Sequence, residues 1–209
     1  MFDAGTLTFQ EFMMREPLPL ATIQSAVLEF LRGRDDVVVF GAQAVNAYVS
    51  EPRMTQDIDL LSTRAADLAE ELREQLSQEF HIAVRVREVG EGKGYRLFQV
   101  QKPANRHLVD VRAVEALPSA QRIAEVLVIA PAELIASKVI AYAQRRGNPK
   151  SGTDWRDIAM LLLKFPELKG EQSSVTERLR EAGASEKIMG VWRELILSEI
   201  RAAEDEDEF

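Results

Sequence analysis

The sequence predicts a mixed α/β (α+β) protein with a small mixed β-sheet flanked by helices, followed by a C-terminal helical region. Short apolar segments rich in β-branched residues recur through the first 130 residues, and segments with helical periodicity separate them. After this part, the periodic segments all have helical spacing. We therefore predict a core domain at residues 1–130 and a helical region at residues 131–209.

The individual elements follow from hydrophobic periodicity and from turn residues. In the first part, helices are predicted over 20–32, 42–49 and 65–78, and strands over 37–40, 57–61, 82–87, 95–101, 107–112 and 126–129. Gly41 ends the first strand, Pro52 closes the following helix, and the turn at 91–94 joins two strands. In the second part, helices are predicted over 131–145, 153–164, 173–182 and 186–203, with Trp155 and Trp192 in the core.

Composition disfavours several classes of protein. The chain has 209 residues and no cysteine, which excludes disulfide frameworks and thiolate chemistry. No segment approaches the roughly 20 apolar residues that span a bilayer, and MFDAGTLTFQEF lacks the features of a secretory signal. The net charge of -8, part of it in the tail AEDEDEF that we expect to be solvated, disfavours a uniformly basic nucleic-acid-binding protein. We expect a soluble cytoplasmic protein without a membrane partner.

Two aspartates occupy alternate positions of the second predicted strand, within the segment RMTQDIDLL at 53–61. Because alternate side chains of a strand share a face, Asp57 and Asp59 point the same way, while Ile58 and Leu60 point into the core. Neighbouring carboxylates repel each other, and a divalent cation offsets that repulsion. Oxygen ligands suit Mg²⁺ or Mn²⁺. An Asp-x-Asp pair alone also occurs in many surface strands that bind no metal.

A third acid, Asp110, lies in a later predicted strand, where Val109 and Val111 alternate toward the core. Three acids on strands of one mixed domain favour a metal site over a chance arrangement. In a purely structural alternative, Asp110 forms an ion pair with Arg106 or Arg112.

These motifs together resemble the minimal nucleotidyltransferase fold. In residues 39–48, VFGAQAVNAY, a strand leads into a glycine at a helix start, and Arg-x-Thr-x-Asp-x-Asp follows at 53–59. This version is similar to the AbiEii-type nucleotidyltransferase toxins, and PAELIASK at 131–138 and DWRDI at 154–158 resemble the later segments of that family. The likeness spans residues 37–164. Ala42 is the one departure, because the family usually has Gly or Ser there.

The resemblance implies Mg²⁺-dependent transfer of a nucleotidyl group from a nucleoside triphosphate to a hydroxyl. Asp57 and Asp59 would bind both metals of a two-ion site, and Asp110 would bind the metal that activates the acceptor. Residues implied to bind the nucleotide are Gly41, Ala42, Arg53, Thr55 and Lys138. The family implies that the acceptor is a tRNA 3′ end, a protein side chain or a small molecule. It also implies that the chain acts as the toxin of a toxin–antitoxin pair and has a cognate antitoxin as partner.

A rival hypothesis comes from a different functional class. The chain would then be a catalytically inactive nucleotide sensor or an antitoxin-like interaction module. Ala42, which lacks a hydroxyl for the triphosphate, and the acidic net charge favour this rival.

Two basic side chains, those of Arg53 and Lys138, each have two alternative roles that the sequence does not distinguish. Arg53 either binds phosphate or pairs with Asp57. Lys138 either reaches the triphosphate or lies at the surface with its aliphatic stem on apolar neighbours. His81 and His107 lack the spacing of a zinc site, and a histidine beside a strand, such as His107, is more typical of a structural role.

Asp154 and Asp157 lie three residues apart on a predicted helix and therefore share a face. Asp154 is also a candidate helix cap, and Asp157 is placed to orient Lys138 or Arg145. The basic loop at 145–150 either grips an RNA backbone or is only solvated.

Overall fold

The computed structural model describes residues 18–201, so the expectations for MFDAGTLTFQEF and for AEDEDEF fall outside it. Its strands are β1 (Val37–Phe40), β2 (Ile58–Ser62), β3 (Val84–Val89), β4 (Gly94–Gln99), β5 (Arg106–Ala113), β6 (Ala120–Ile123) and β7 (Val126–Ile129). Its helices are α1 (Leu20–Phe30), α2 (Gly41–Tyr48), α3 (Ala65–Phe80), α4 (Pro131–Gln144), α5 (Lys150–Lys164), α6 (Ser174–Glu181) and α7 (Glu186–Leu197), with a 3₁₀ turn at Pro166–Leu168.

The strands form one mixed sheet in the order β3-β4-β5-β2-β1-β7-β6. The pairs β2–β5 and β1–β7 are parallel, and the other neighbours are antiparallel. The predicted mixed α/β class is confirmed. Helix α3 packs its buried leucines against β3, β4 and β5, so one face of this part of the sheet is apolar.

The edge strand β6 was not predicted. It pairs with β7 through a two-residue turn, Ala124–Glu125, in which both residues have positive φ angles of 47° and 66°. A turn of this kind normally carries Asn or Gly, because those residues adopt positive φ at little cost. Since neither residue is present, the sequence carries no hairpin signal there.

The change from strands to helices falls at the predicted boundary, because β7 ends at Ile129 and α4 begins at Pro131. The division into two domains stays a prediction, and one cluster of buried residues runs through both parts. Trp192 is buried and donates a hydrogen bond to Thr176 Oγ1 at 2.8 Å, as a core residue should. Trp155 is 45% exposed, so its placement in the core was wrong. None of the helices between residues 18 and 201 has the length and apolar character that crossing a bilayer requires.

Candidate active site

The sheet brings the three predicted acids to one hollow. Asp59 on β2 lies directly beside Asp110 on β5 in the parallel ladder, and Asp57 precedes Asp59 by two residues on the same face. Ile58 and Leu60 are fully buried on the opposite face. The acids line a cavity of about 660 Å³ between the sheet and helices α4 and α5.

A histidine that the sequence did not single out joins these acids. In β5, Val109 pairs with Leu97 while His107 pairs with Phe98, so Leu108 is an extra residue in a β-bulge. Without the bulge, His107 and Asp110 would lie on opposite faces, because they are three residues apart. With it, both side chains face the cavity. His107, for which the sequence favours a structural role, thus lies in the cavity beside the acids.

The His107 ring bridges two of the acids. Its Nδ1 lies 3.1 Å from Asp57 Oδ2, and its Nε2 lies 3.0 Å from Asp110 Oδ1. These hydrogen bonds, to Asp110 and then to Asp57, raise the pKa of His107 to about 9, so both ring nitrogens carry protons at neutral pH. Asp110 also accepts a hydrogen bond from Arg96 Nε at 2.9 Å. The structural alternative, an ion pair of Asp110 with Arg106 or Arg112, is not formed among residues 18–201, and Arg96 is the arginine that pairs with Asp110.

The two neighbouring carboxylates of β2 have opposite electrostatic environments. The hydrogen bond from His107 lowers the pKa of Asp57. Burial, followed by repulsion from Asp57, raises the pKa of Asp59. The nearest cation to Asp59 is Arg112, whose Nη2 lies 4.0 Å from Asp59 Oδ1 and whose guanidinium stacks over Phe40. Asp59, whose side chain is 22% exposed, is therefore a partly buried acid whose one ion-pair partner among residues 18–201 is the more distant Arg112.

Gly41 provides the close approach between α2 and Asp59. Its φ is +69°, a conformation that favours glycine. A Cβ at this position would lie 2.1 Å from Asp59 Oδ2, which no real structure tolerates. Ala42 follows in the first turn of α2 and is nearly buried at the cavity wall. The N-terminus of α2 therefore lies directly against the acids, with its free backbone N–H groups on that side.

Helices α4 and α5 supply the opposite wall of the cavity, where a buried carboxylate holds two cations. Asp157 is fully buried and accepts hydrogen bonds from Arg53 Nε at 2.8 Å and Arg53 Nη2 at 2.9 Å. Lys138 Nζ donates to the same carboxylate at 2.7 Å. Arg53 therefore pairs with Asp157 and not with Asp57, the partner in one of its two alternative interpretations. Lys138 is largely buried at the cavity, which excludes the surface alternative.

Asp154 lies at the same wall but has a different partner. It is buried and accepts a hydrogen bond from Arg145 Nη1 at 2.9 Å. Helix α5 begins at Lys150, so Asp154 lies inside the helix, and its expected capping role was wrong. The loop that carries Arg53 and Thr55 is fixed by Asn46 of α2, which exchanges hydrogen bonds of 2.8 and 3.0 Å with the Arg53 backbone. Thr55 Oγ1 donates to the Asp57 carbonyl at 3.1 Å, so Thr55 shapes the turn before β2.

Comparison with known proteins assigns the chain to a family. The family model described as "Nucleotidyl transferase AbiEii toxin, Type IV TA system" matches residues 26–208. The chain belongs to the AbiEii family. It is therefore a nucleotidyltransferase of a family of toxins. No curated protein matches the sequence closely enough to count as a relative.

Solved structures show that the AbiEii-family chain has a nucleotidyltransferase fold. The Megavirus polyadenylate synthase superposes with a TM-score of 0.57 at 14% identity, over 70% of this chain and 32% of that chain. JHP933 from Helicobacter pylori gives a TM-score of 0.51 at 12% identity, over 91% and 90% of the two chains. The antibiotic-resistance factor ANT(2'')-Ia gives 0.50 at 17% identity, over 78% and 89%. The chain thus spans about a third of the viral enzyme's length.

Gly41→Ala is expected to abolish nucleotidyl transfer by the AbiEii-family chain while the chain still folds. The added methyl group collides with the Asp59 carboxylate, which must move out of the site. We expect transfer to fall by at least about 10²-fold, the effect of losing one preorganised charge. The strain of a non-glycine residue at positive φ adds about 1–2 kcal/mol of destabilisation. Transfer of a labelled nucleotide and thermal unfolding measure the two effects.

Gly183→Ala is the matched control. Gly183 has a φ of +67° and no atom within 4 Å of its added Cβ, so it carries the same backbone strain without a collision. This variant should lose similar stability and retain full transfer. Equal transfer by the two variants would contradict the role assigned to Gly41.

The Asp157 carboxylate predicts a pH dependence of stability. Burial alone would raise the pKa of Asp157, but the hydrogen bonds from Arg53 and the charge of Lys138 outweigh burial and hold the pKa below its usual range. An aspartate of the unfolded chain titrates at about pH 3.9. Asp157 therefore adds stability above that pH, and this contribution is lost as the pH falls toward the lower pKa of the folded state.

Urea unfolding at a series of pH values measures this contribution. Below about pH 4, the free energy of unfolding should fall more steeply for the wild type than for Asp157→Asn, which has no carboxylate to protonate. Parallel curves for the two proteins below that pH would show that Asp157 does not have a lowered pKa.

Proposed function

We propose that this AbiEii-family chain transfers a nucleotidyl group from a nucleoside triphosphate to a hydroxyl acceptor, with Mg²⁺ or Mn²⁺ bound by Asp57, Asp59 and Asp110. The observation that carries the proposal is the convergence of these three carboxylates from β2 and β5 on one cavity. Family membership supports the nucleotidyl chemistry.

The residues of the cavity fit a divalent cation. Carboxylate oxygens of Asp57 and Asp110 lie within 4.8 Å of each other on either side of the His107 ring, and the partly buried Asp59 lies beside them. Carboxylate oxygens are the ligands that Mg²⁺ and Mn²⁺ prefer. When bound, the metal supplies positive charge to the attacking and leaving oxygens of the phosphoryl group.

The protein's own groups hold the triphosphate and the acceptor. Backbone N–H groups at the start of α2, beside Asp59, and the side chains of Arg53 and Lys138, on the opposite wall, bind the phosphates, because all of them face the cavity. Ala42 has no hydroxyl to bind the triphosphate, so backbone N–H groups bind the phosphate at this position instead. Asp110 accepts the proton of the acceptor hydroxyl. The acceptor oxygen then forms a bond to the α-phosphorus, and pyrophosphate leaves.

Incubation with each α-labelled nucleoside triphosphate, Mg²⁺ and total cellular RNA and protein tests the proposal. We expect label on a macromolecule, release of pyrophosphate, and loss of both when EDTA removes the metal. Calorimetry with each triphosphate separates the rival functions. Binding without release of pyrophosphate would support an inactive sensor, and no binding at all would support an antitoxin-like interaction module.

The biological role in this proposal is that of a toxin. The family description names a type IV toxin–antitoxin system, which supports a cognate antitoxin as partner. The acceptor is a tRNA 3′ end, a protein side chain or a small molecule, and the cytoplasm is the expected location because it supplies the triphosphate. Arrest of growth on expression, relieved by co-expression of the neighbouring gene, tests this role.

A further inference from the structure

Four arginines lie on the sheet face that carries the acids. Arg87 on β3 pairs with Arg96 on β4, and Arg96 pairs with Asp110 on β5. Arg85 lies two residues before Arg87, and Arg112 lies two residues after Asp110. Paired residues and alternate residues share a face, so all four arginines point to the side of Asp110. We call Arg85, Arg87, Arg96 and Arg112 the arginine face.

The arginine face is open. The four side chains are exposed, whereas the opposite face of the same strands is covered by α3. Within residues 18–201, neither Arg85 nor Arg87 forms an ion pair or a side-chain hydrogen bond; Arg96 and Arg112 have acidic neighbours only in the site itself, Asp110 and Asp59. The strands therefore present positive charge to solvent over roughly 10 Å, two strand spacings outward from Asp110.

The cations on the helical wall differ from this face. Arg53 and Lys138 are paired with Asp157, Arg145 is paired with Asp154, and Arg146 is paired with Glu194. Their charge is largely compensated within the protein. In a chain of net charge -8, four exposed arginines on one face, two of them without an ion pair within residues 18–201, favour a polyanionic partner. The basic loop at 145–150, in contrast, has much of its charge neutralised by Asp154 and Glu194.

We propose that the arginine face binds the phosphate backbone of a single-stranded RNA and guides its terminal hydroxyl to Asp110, an inference that rests on the proposed nucleotidyl transfer. Guanidinium groups bind phosphate oxygens in a two-pronged geometry. Phe98, half-buried on the same face opposite Arg85, offers a ring against which a base stacks. An RNA end supplies the phosphates and the acceptor hydroxyl in one molecule, which an acidic protein segment does not.

The test uses Arg85→Gln/Arg87→Gln, because neither residue touches the acids or the cations of the helical wall. Fluorescence anisotropy measures binding of a labelled single-stranded oligoribonucleotide with a free 3′ hydroxyl, in EDTA and without nucleotide, between about 50 and 200 mM salt. The matched control is Arg180→Gln/Arg193→Gln, which removes two exposed charges from α6 and α7. A polyglutamate peptide is the probe for an acidic protein partner.

We expect the wild type and the control to bind the oligoribonucleotide, and the Arg85/Arg87 variant to bind at least about tenfold more weakly. The slope of log K against log salt should fall by about 1.4 for the variant, since each phosphate contact on a single strand contributes about 0.7. Equal binding by all three proteins, or no binding by the wild type, would overturn the proposal. Binding of polyglutamate in place of RNA, lost in the same variant, would overturn it in favour of an acidic protein partner.

This binding assay does not depend on chemistry. If the wild type binds RNA through the arginine face but no label is transferred to any acceptor, the proposed nucleotidyl transfer fails and the RNA surface stands. If label is transferred to RNA equally well by the wild type and by the Arg85/Arg87 variant, the proposed function stands and the surface assignment fails.

Discussion

Asp59→Asn is expected to reduce nucleotidyl transfer by at least about 10³-fold, the loss associated with removing a preorganised charge from a transition state. The same substitution should leave the fold intact and slightly more stable without metal. Asp59 is partly buried, is repelled by Asp57 and lies 4.0 Å from Arg112, its ion-pair partner, so its charge opposes folding. Asparagine has nearly the same shape and carries no charge. A loss of nucleotidyl transfer together with a gain in metal-free stability distinguishes a metal-binding acid from a structural one, whose replacement lowers stability.

Transfer of an α-labelled nucleotide and urea unfolding in EDTA measure these effects. Asp36→Asn is a suitable control, because Asp36 accepts hydrogen bonds from Arg34 at 2.9 and 2.7 Å, which lower its pKa, and lies outside the cavity. That variant should lose stability and retain transfer. Full transfer by Asp59→Asn, or its unfolding, would refute the role given to Asp59.

Asp57→Asn should also abolish transfer, but with a different effect on stability. Asp57 accepts a hydrogen bond from protonated His107, so replacing it removes a favourable interaction. We expect this variant to be less stable than Asp59→Asn in metal-free buffer. The difference between two neighbouring aspartates follows only from their contacts, because Asp57 directly precedes β2, Asp59 lies within it, and both side chains line the same cavity.

Asp157→Asn is expected to destabilise the protein by about 3 kcal/mol or more, within the range for breaking a buried ion pair. Asp157 is fully buried and is the only carboxylate that Lys138 and Arg53 contact among residues 18–201. Its replacement leaves two cations facing each other without an anion between them. Transfer should fall as well, because both cations then lose the geometry in which they face the triphosphate. Urea unfolding at neutral pH measures the loss.

Two further variants make this prediction specific. Glu194→Gln removes the exposed partner of Arg146 and should cost less than about 1 kcal/mol, as surface pairs do. Lys138→Met in the Asp157→Asn background should recover part of the stability, because it removes one of the two positive charges that have lost their carboxylate partner. A cost for Asp157→Asn as small as that for Glu194→Gln would show that the buried cluster does not stabilise the fold.

Local periodicity was sufficient for much of this protein. The alternation of Asp57 and Asp59 with buried Ile58 and Leu60 follows from the two-residue repeat of a strand, and the structure has the same alternation. The change from strands to helices near residue 130 and the leucine face of α3 follow from spacing in the same way. The strand pattern of 107–112 added Asp110 as a third acid, the family resemblance supported it, and the parallel pairing of β2 with β5 brings it beside Asp59.

Local pattern failed where a contact depends on another part of the chain. Spacing alone puts His107 on the wrong face, and only the bulge in the pairing of β5 with β4 turns it into the cavity. Arg53 and Asp157 are 104 residues apart, so no pattern around either residue identifies the other as its partner. The turn before β7 has positive φ angles at Ala124 and Glu125, which sheet pairing imposes on residues that do not favour them.

The sequence by itself thus determined the type of every element except β6 and the face on which each acid lies, because backbone geometry repeats every two residues in a strand and about every 3.6 in a helix. The tertiary structure decided the partners of each charge: His107 between two acids, Asp157 between two cations, and Gly41 against Asp59. These contacts depend on strand register and helix packing. Both are set by the summed burial of side chains distant in sequence, and no single local segment contains that information.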